Sequence, residues 1–191
     1  MSQRTEKSEP YRAPSPAAIE RRAQPPKPDE FFEYYGRYVA QVAPGDIVAT
    51  LASQIVETVD FLREIPAERT TRGYAPGKWT VRDVVLHIAD AERIFMYRAL
   101  RIARGDATPL ASFDENAYTP MAGANARSMD ALLTELLAVR EATLELLAGL
   151  PTEAWDRRGT ASDKTVSVRA LAWITAGHEV HHREVVRERY L

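Results

Sequence analysis

Proline spacing constrains this chain more than any other feature. Twelve prolines fall in 191 residues: six lie within residues 1–29, and the rest are Pro44, Pro66, Pro76, Pro109, Pro120 and Pro151. Proline removes a backbone donor and clashes with the preceding turn, so it is excluded from helix interiors. Between the later prolines lie four long proline-free segments whose apolar residues recur every three or four positions, the period of an amphipathic helix.

The first segment opens after Pro44-Gly45 with Asp46 as N-cap and carries Ile47, Leu51, Ile55, Val59 and Leu62 on one stripe before Pro66. The second starts at Thr80, with Asp83 completing a short capping box. It turns Val81, Val84, Val85, Ile88, Ala91, Phe95, Ala99 and Ile102 inward and ends at Gly105. The third runs from the cap Ser128 through Leu132, Leu136, Thr143 and Leu147 to Gly149-Leu150-Pro151. The fourth is capped by Ser167 and continues to Leu191. No run of β-branched residues alternates with polar ones, so strands are not expected. The expectation is an all-α four-helix bundle of helices of roughly 20 residues. The connections, about 14, 23 and 16 residues, exceed those of a simple up-down bundle and permit crossovers, so an up-down-down-up order is expected. The 106–127 connection is long enough to cover one end of the bundle and carry function.

Residues 1–29, rich in proline and charge, read as a disordered or loosely attached leader to a domain spanning 30–191. Phe31, Phe32, Tyr34, Tyr35 and Tyr38 follow as an aromatic cluster that docks a short helix, and they are a candidate for part of a subunit interface.

Charge narrows the function. With 25 basic and 27 acidic residues intermixed, the net charge of −2 gives no electrostatic case for nucleic acid. No cysteine is present, which excludes disulfides, cysteine zinc sites and thiol nucleophiles. No apolar run approaches the ~18 residues of a membrane span. The opening MSQRTEKSEP has no apolar signal-peptide core, so a cytoplasmic location is expected.

Histidine is where chemistry is concentrated. Three of the four histidines, His178, His181 and His182, fall within five positions of the fourth segment. His178 and His182 stand at i, i+4 and share a face with Leu171, Ile174, Thr175 and Val185, while His181 lies at its edge. The remaining His87 flanks the apolar stripe of the second segment, between Val84 and Ala91, where it can meet the pair from a facing helix. Three neutral imidazoles suit Zn²⁺, Ni²⁺ or Fe²⁺ and leave a coordination position for water or substrate. Residues 178–182 also spell HExxH, but zinc proteases of that type commonly take a third ligand downstream, and only nine residues without histidine remain. Glu179, about 100° from His178 around the helix, is expected to be solvated or paired with Arg183. Glu92, five positions after His87, reads either as a catalytic base at the mouth of the site or as a surface carboxylate. Trp79 is expected to pack rather than to bind substrate. Gly177 either admits a close helix approach or ligand access, or is simply tolerated there.

Two stretches carry a family resemblance. Tyr74-Ala-Pro-Gly-Lys-Trp79-Thr-Val-Arg-Asp-Val-Val-Leu-His87-Ile-Ala-Asp-Ala-Glu92-Arg resembles the start of the second helix of the DinB-like, YfiT-type proteins. Ser167-Val-Arg-Ala-Leu, with Gly177-His178-Glu-Val-His-His182, resembles their fourth helix and its HxxxH pair. The likeness spans about residues 45–191 and leaves out the leader. It implies an up-down-down-up bundle, a metal held by His87, His178 and His182, and frequently a homodimer. The activity it implies is that of a metal-dependent hydrolase, or of a transferase or isomerase using a low-molecular-weight thiol, acting on small molecules. Any such thiol is a cosubstrate, since the chain has no cysteine. The alternative is a non-catalytic metal-binding or stress-related interaction module.

Overall fold

The structure is a computed structural model that describes residues 16–191. Its helices, in chain order, are α1 (Pro16–Ala23), α2 (Gly36–Val39), α3 (Ile47–Arg63), α4 (Ala67–Thr70), α5 (Val81–Ala103), α6 (Glu115–Met121), α7 (Met129–Ala148) and α8 (Val168–Tyr190). The long helices α3, α5, α7 and α8 are the four expected from proline spacing. Each starts at its expected cap: Asp46 accepts from the Val48 N–H, Thr80 from Asp83, Ser128 from Ala131 and Ser167 from Ala170. At Thr80 the Asp83 carboxylate returns the bond, completing the capping box.

Cross-helix bonds fix the directions. Gln54 donates to the Ala176 carbonyl, Thr58 bonds Glu179 and Arg183 pairs with Glu57, so α3 and α8 run parallel. On α5 and α8 the numbers run oppositely, because Tyr190 donates to the Trp79 carbonyl whereas Phe95 lies against His178. Arg82 reaches the Arg127 carbonyl just before α7 and Arg93 pairs with Glu135 within it, so α5 and α7 are parallel. The order is therefore up-down-down-up, with α3 and α5 each packed between α7 and α8.

The interior has two apolar clusters. One gathers Leu51, Phe95, Ala99, Leu147, Leu171 and Trp173; the other gathers Ile55, Val84, Leu132, Leu136 and Val186. Between them lies a buried polar layer made by Gln54, Thr58, Glu92, Arg140 and Glu179, with His87 and His178 at the same level. That layer sets the position of the site.

Strands do occur. Arg158–Ala161 (β1) and Lys164–Ser167 (β2) pair antiparallel, joined by Ser162 and Asp163, both at positive φ (53° and 59°). Four-residue strands are too short to show alternation, and this two-residue turn lacks the Asn-Gly or Asp-Gly sequence that usually announces it. Leu110 bonds β1 through its N–H to the Thr160 carbonyl, and its own carbonyl accepts from the Ser162 N–H, which ties the 106–127 crossover to the hairpin.

Of the leader expected over 1–29, residues 1–15 lie outside the described residues. From residue 16 the chain follows the bundle surface. In α1, Arg22 is buried and donates to the Ala148 carbonyl (2.7 Å). Glu30 is held beneath by Arg169 and by the Ser167 hydroxyl. The aromatic cluster then docks within the chain: Tyr38 is buried and Tyr35 lies edge-on to Phe95, while Phe32 and Tyr34 stay exposed.

Candidate metal centre

His87 on α5 and His178 and His182 on α8 meet as the helical spacing requires. The Nε2 atoms of His87 and His182 each lie 3.1 Å from Nε2 of His178. Nitrogens bound tetrahedrally at about 2.0–2.1 Å from one cation lie about 3.3 Å apart; two of the three pairs are close to that spacing, and all three donor atoms lie within 4.8 Å of one another. Their chemistry fits as well. Burial pushes the His87 imidazole down to about 4, and burial followed by the neighbouring rings holds His178 and His182 well below the ordinary value. At neutral pH all three carry no proton on one ring nitrogen, the state a metal requires. His181 stands outside the donor cluster, half-buried against Tyr38 and His182.

Aromatic rings orient the imidazoles. Trp79 lies 4.8 Å from His87 and Tyr38 5.5 Å from His178, centre to centre. Tyr38 reaches the cluster because α2 crosses α8 at Gly177. The expected packing role of Trp79 therefore includes contact with a ligand, and Gly177 serves close approach.

Glu179 is a correction: it is neither solvated nor paired with Arg183. Its side chain is fully buried, one oxygen accepting from Thr58 and the other from Arg140. The reason lies in the partner helices, since Thr58 of α3 and Arg140 of α7 both reach the Glu179 carboxylate. Glu92 is not brought to the imidazoles. It is 1 % exposed and takes a two-pronged bond from Arg140, Oε1 to Nε at 2.8 Å and Oε2 to Nη2 at 2.7 Å. Arg140 also donates to the Leu51 carbonyl at 2.9 Å, so one guanidinium joins α3, α5, α7 and α8 directly behind the histidines.

Sequence reasoning missed Arg140, although it interrupts the apolar stripe of α7 four residues after Leu136. It also missed Arg37 and Arg98. Both line a cavity of about 370 Å³ that opens on the three imidazoles and is otherwise walled mainly by Tyr34, Tyr35, Tyr38 and Phe95. Phe113 and Glu115 of the 106–127 crossover complete the wall, so that connection does cover the site.

Comparison with known proteins bears on the family and the fold. The sequence model of the DinB superfamily matches residues 50–186. A protein of Oceanobacillus iheyensis, provisionally named a metal-dependent hydrolase, is 27% identical over 137 residues, covering 71% of this chain and 76% of its own. The solved structure of YfiT from Bacillus subtilis, described as a probable metal-dependent hydrolase with an unusual four-helix bundle topology, superposes with a TM-score of 0.63. At 16% identity it covers 90% of this chain and 96% of its own, and it bears on the fold.

Proposed function

The chain belongs to the DinB superfamily, and from that premise we propose that it is a metal-dependent hydrolase of small molecules whose divalent cation is held by His87, His178 and His182. The observation that carries the reading is the convergence of three imidazoles, His87 and His178 buried and His182 half-buried, on the wall of an open, polar cavity. A metal-binding module has no need of such a cavity. Bound there, a Zn²⁺, Ni²⁺ or Fe²⁺ ion supplies Lewis acidity, polarising an acyl or phosphoryl oxygen and easing loss of a proton from water.

The chain's own groups do the rest. Burial keeps the three imidazoles neutral, so their Nε2 lone pairs stay available. Tyr38 and Trp79 hold the rings in place. The Arg140 bonds to Glu92 and Glu179 fix the rotation of α8 against α5, and with it the spacing of the donors. Neither carboxylate is free to act as a base. A thiol-dependent transfer at the same centre differs in requiring a cosubstrate, and no cavity residue is particular to a thiol.

The test is elemental analysis of untagged protein and its histidine variants, followed by turnover of small esters and amides with and without added thiols. His87→Ala, His178→Ala and His182→Ala should each lose most of the metal and activity, while His181→Ala keeps the metal. Turnover only in the presence of a thiol would replace hydrolysis with transfer. A metal-free wild type that binds no divalent ion would overturn both.

A further inference from the structure

Arg98 is a cation in an unusual setting. It is 4 % exposed, yet no carboxylate pairs with it among the described residues. Its Nη2 donates to the Ala111 carbonyl (2.7 Å) and the Ser162 hydroxyl (3.1 Å), with Phe113 over the guanidinium. These contacts orient the charge without neutralising it. A buried charge without a counter-charge is unfavourable; burial lowers the Arg98 pKa, and a hydrogen bond with Tyr35 opposes that shift. Of the other buried arginines, Arg140 and Arg169 pair with glutamates, while Arg22 donates to the Ala148 carbonyl, away from this cavity. Arg98 instead faces the cavity that holds the histidine cluster.

A second cation lines the same space. Arg37 is placed by its rings, its guanidinium 3.9 Å from the Tyr34 centre and 4.9 Å from that of Tyr38, and it too has no acidic partner among the described residues. Against these two charges the cavity wall sets one carboxylate, Glu115, and imidazoles that burial keeps neutral. A divalent ion at the histidines would make the excess larger.

We infer that the substrate is a small, elongated organic anion whose charged end is seated on Arg98 while its reacting group lies at His87, His178 and His182. Arg98 follows His87 by three helical turns, a rise of about 16 Å, and its side chain and the imidazoles line one cavity. Between the two ends, Phe95 and Tyr35 offer an apolar wall for a short carbon chain. The planar guanidinium suits a carboxylate or a phosphate. Arg37, at the histidine end, would attract the anion and neutralise a further negative group. The inference rests on the metal centre only for where the reaction happens; the anion seat is independent of it.

That independence makes the test clean. Metal-free protein is titrated calorimetrically with glutarate, ethyl phosphate and the neutral glutaramide, so that no anion can ligate an ion. Wild type should bind at least one anion ten-fold or more tightly than glutaramide, and the stronger of the two identifies the charged group. Arg98→Gln should abolish the preference, and Arg98→Lys, which keeps the charge, should retain part of it. Arg37→Gln, at an exposed position that should fold normally, should weaken the anion several-fold. Metal content of the Arg98 variants should equal wild type, which separates the seat from the centre. Equal binding of glutaramide and glutarate, or an Arg98→Gln protein that prefers the anion as wild type does, would overturn the inference even if metal-dependent turnover is found.

Discussion

The carbonyl oxygen of Tyr38 lies 2.0 Å from where a Cβ on Gly177 would stand, and the carbonyl carbon lies 2.4 Å from it. Both obstacles are backbone, so no rotamer change relieves the overlap. In an exposed helix interior, glycine to alanine stabilises by about 1 kcal/mol. Here the sign reverses, because α2 must lift away from α8. Gly177→Ala should cost about 1–3 kcal/mol and loosen Tyr38 from His178. Urea unfolding measures the first effect and limited proteolysis around residues 31–42 the second. A variant more stable than wild type would show that α2 is not clamped there.

Arg140 holds two buried carboxylates, and removing it leaves both without a counter-charge. Arg140→Met should therefore destabilise by about 3–5 kcal/mol. Glu92→Gln should cost less, because it leaves a neutral Arg140–Glu179 pair. If Glu92 acted as a base, Glu92→Gln would instead remove activity at unchanged stability. Equilibrium unfolding of both variants, beside turnover of the second, separates these outcomes.

How much of this was legible beforehand depends on the range of the interaction. Caps, helix limits and the i, i+4 histidine pair are local, and each could be read from neighbouring letters. His87 joined them because an inward position on a second helix has few places to point. The loss came where partners are distant in sequence. Glu179 looked solvated on a helical wheel because a wheel shows one helix, and its neighbours Thr58 and Arg140 come from two others. Glu92 was misjudged for the same reason. The anion seat was invisible: Arg98 is placed by Ala111 and Ser162, from a crossover loop and a hairpin turn whose sequences announce neither.

The buried imidazoles also set how the metal-free protein responds to acid. Ordinary histidine titrates near 6.5, and His87 in the fold titrates at about 4. Between those values the unfolded chain binds the proton and the folded chain does not, so stability falls as pH falls. The His87 contribution saturates below pH 4 at about 3 kcal/mol, from 1.36 kcal/mol per pH unit; His178 and His182 act in the same direction. Metal-free wild type should thus lose stability steadily from pH 6.5 to 4, and His87→Gln should show a shallower slope over that window. Equal slopes in urea titrations at four or five pH values would mean that His87 is not held neutral by the fold.

Removing the metal should not remove the fold. Both apolar clusters and the Arg140 layer close without help from an ion, in contrast to small zinc domains that unfold when chelated. A ligand present at a thousand times its dissociation constant adds only about 4 kcal/mol, a supplement to a core that already buries Trp155, Trp173, Leu133 and Leu136. Chelator should lower the melting temperature by several degrees while leaving the far-ultraviolet circular dichroism of the helices unchanged at 25 °C. The lowering should vanish in His178→Ala, which has no centre to empty. Collapse of the helical signal in chelator would make the ion part of the scaffold, and an open catalytic position would then need separate proof.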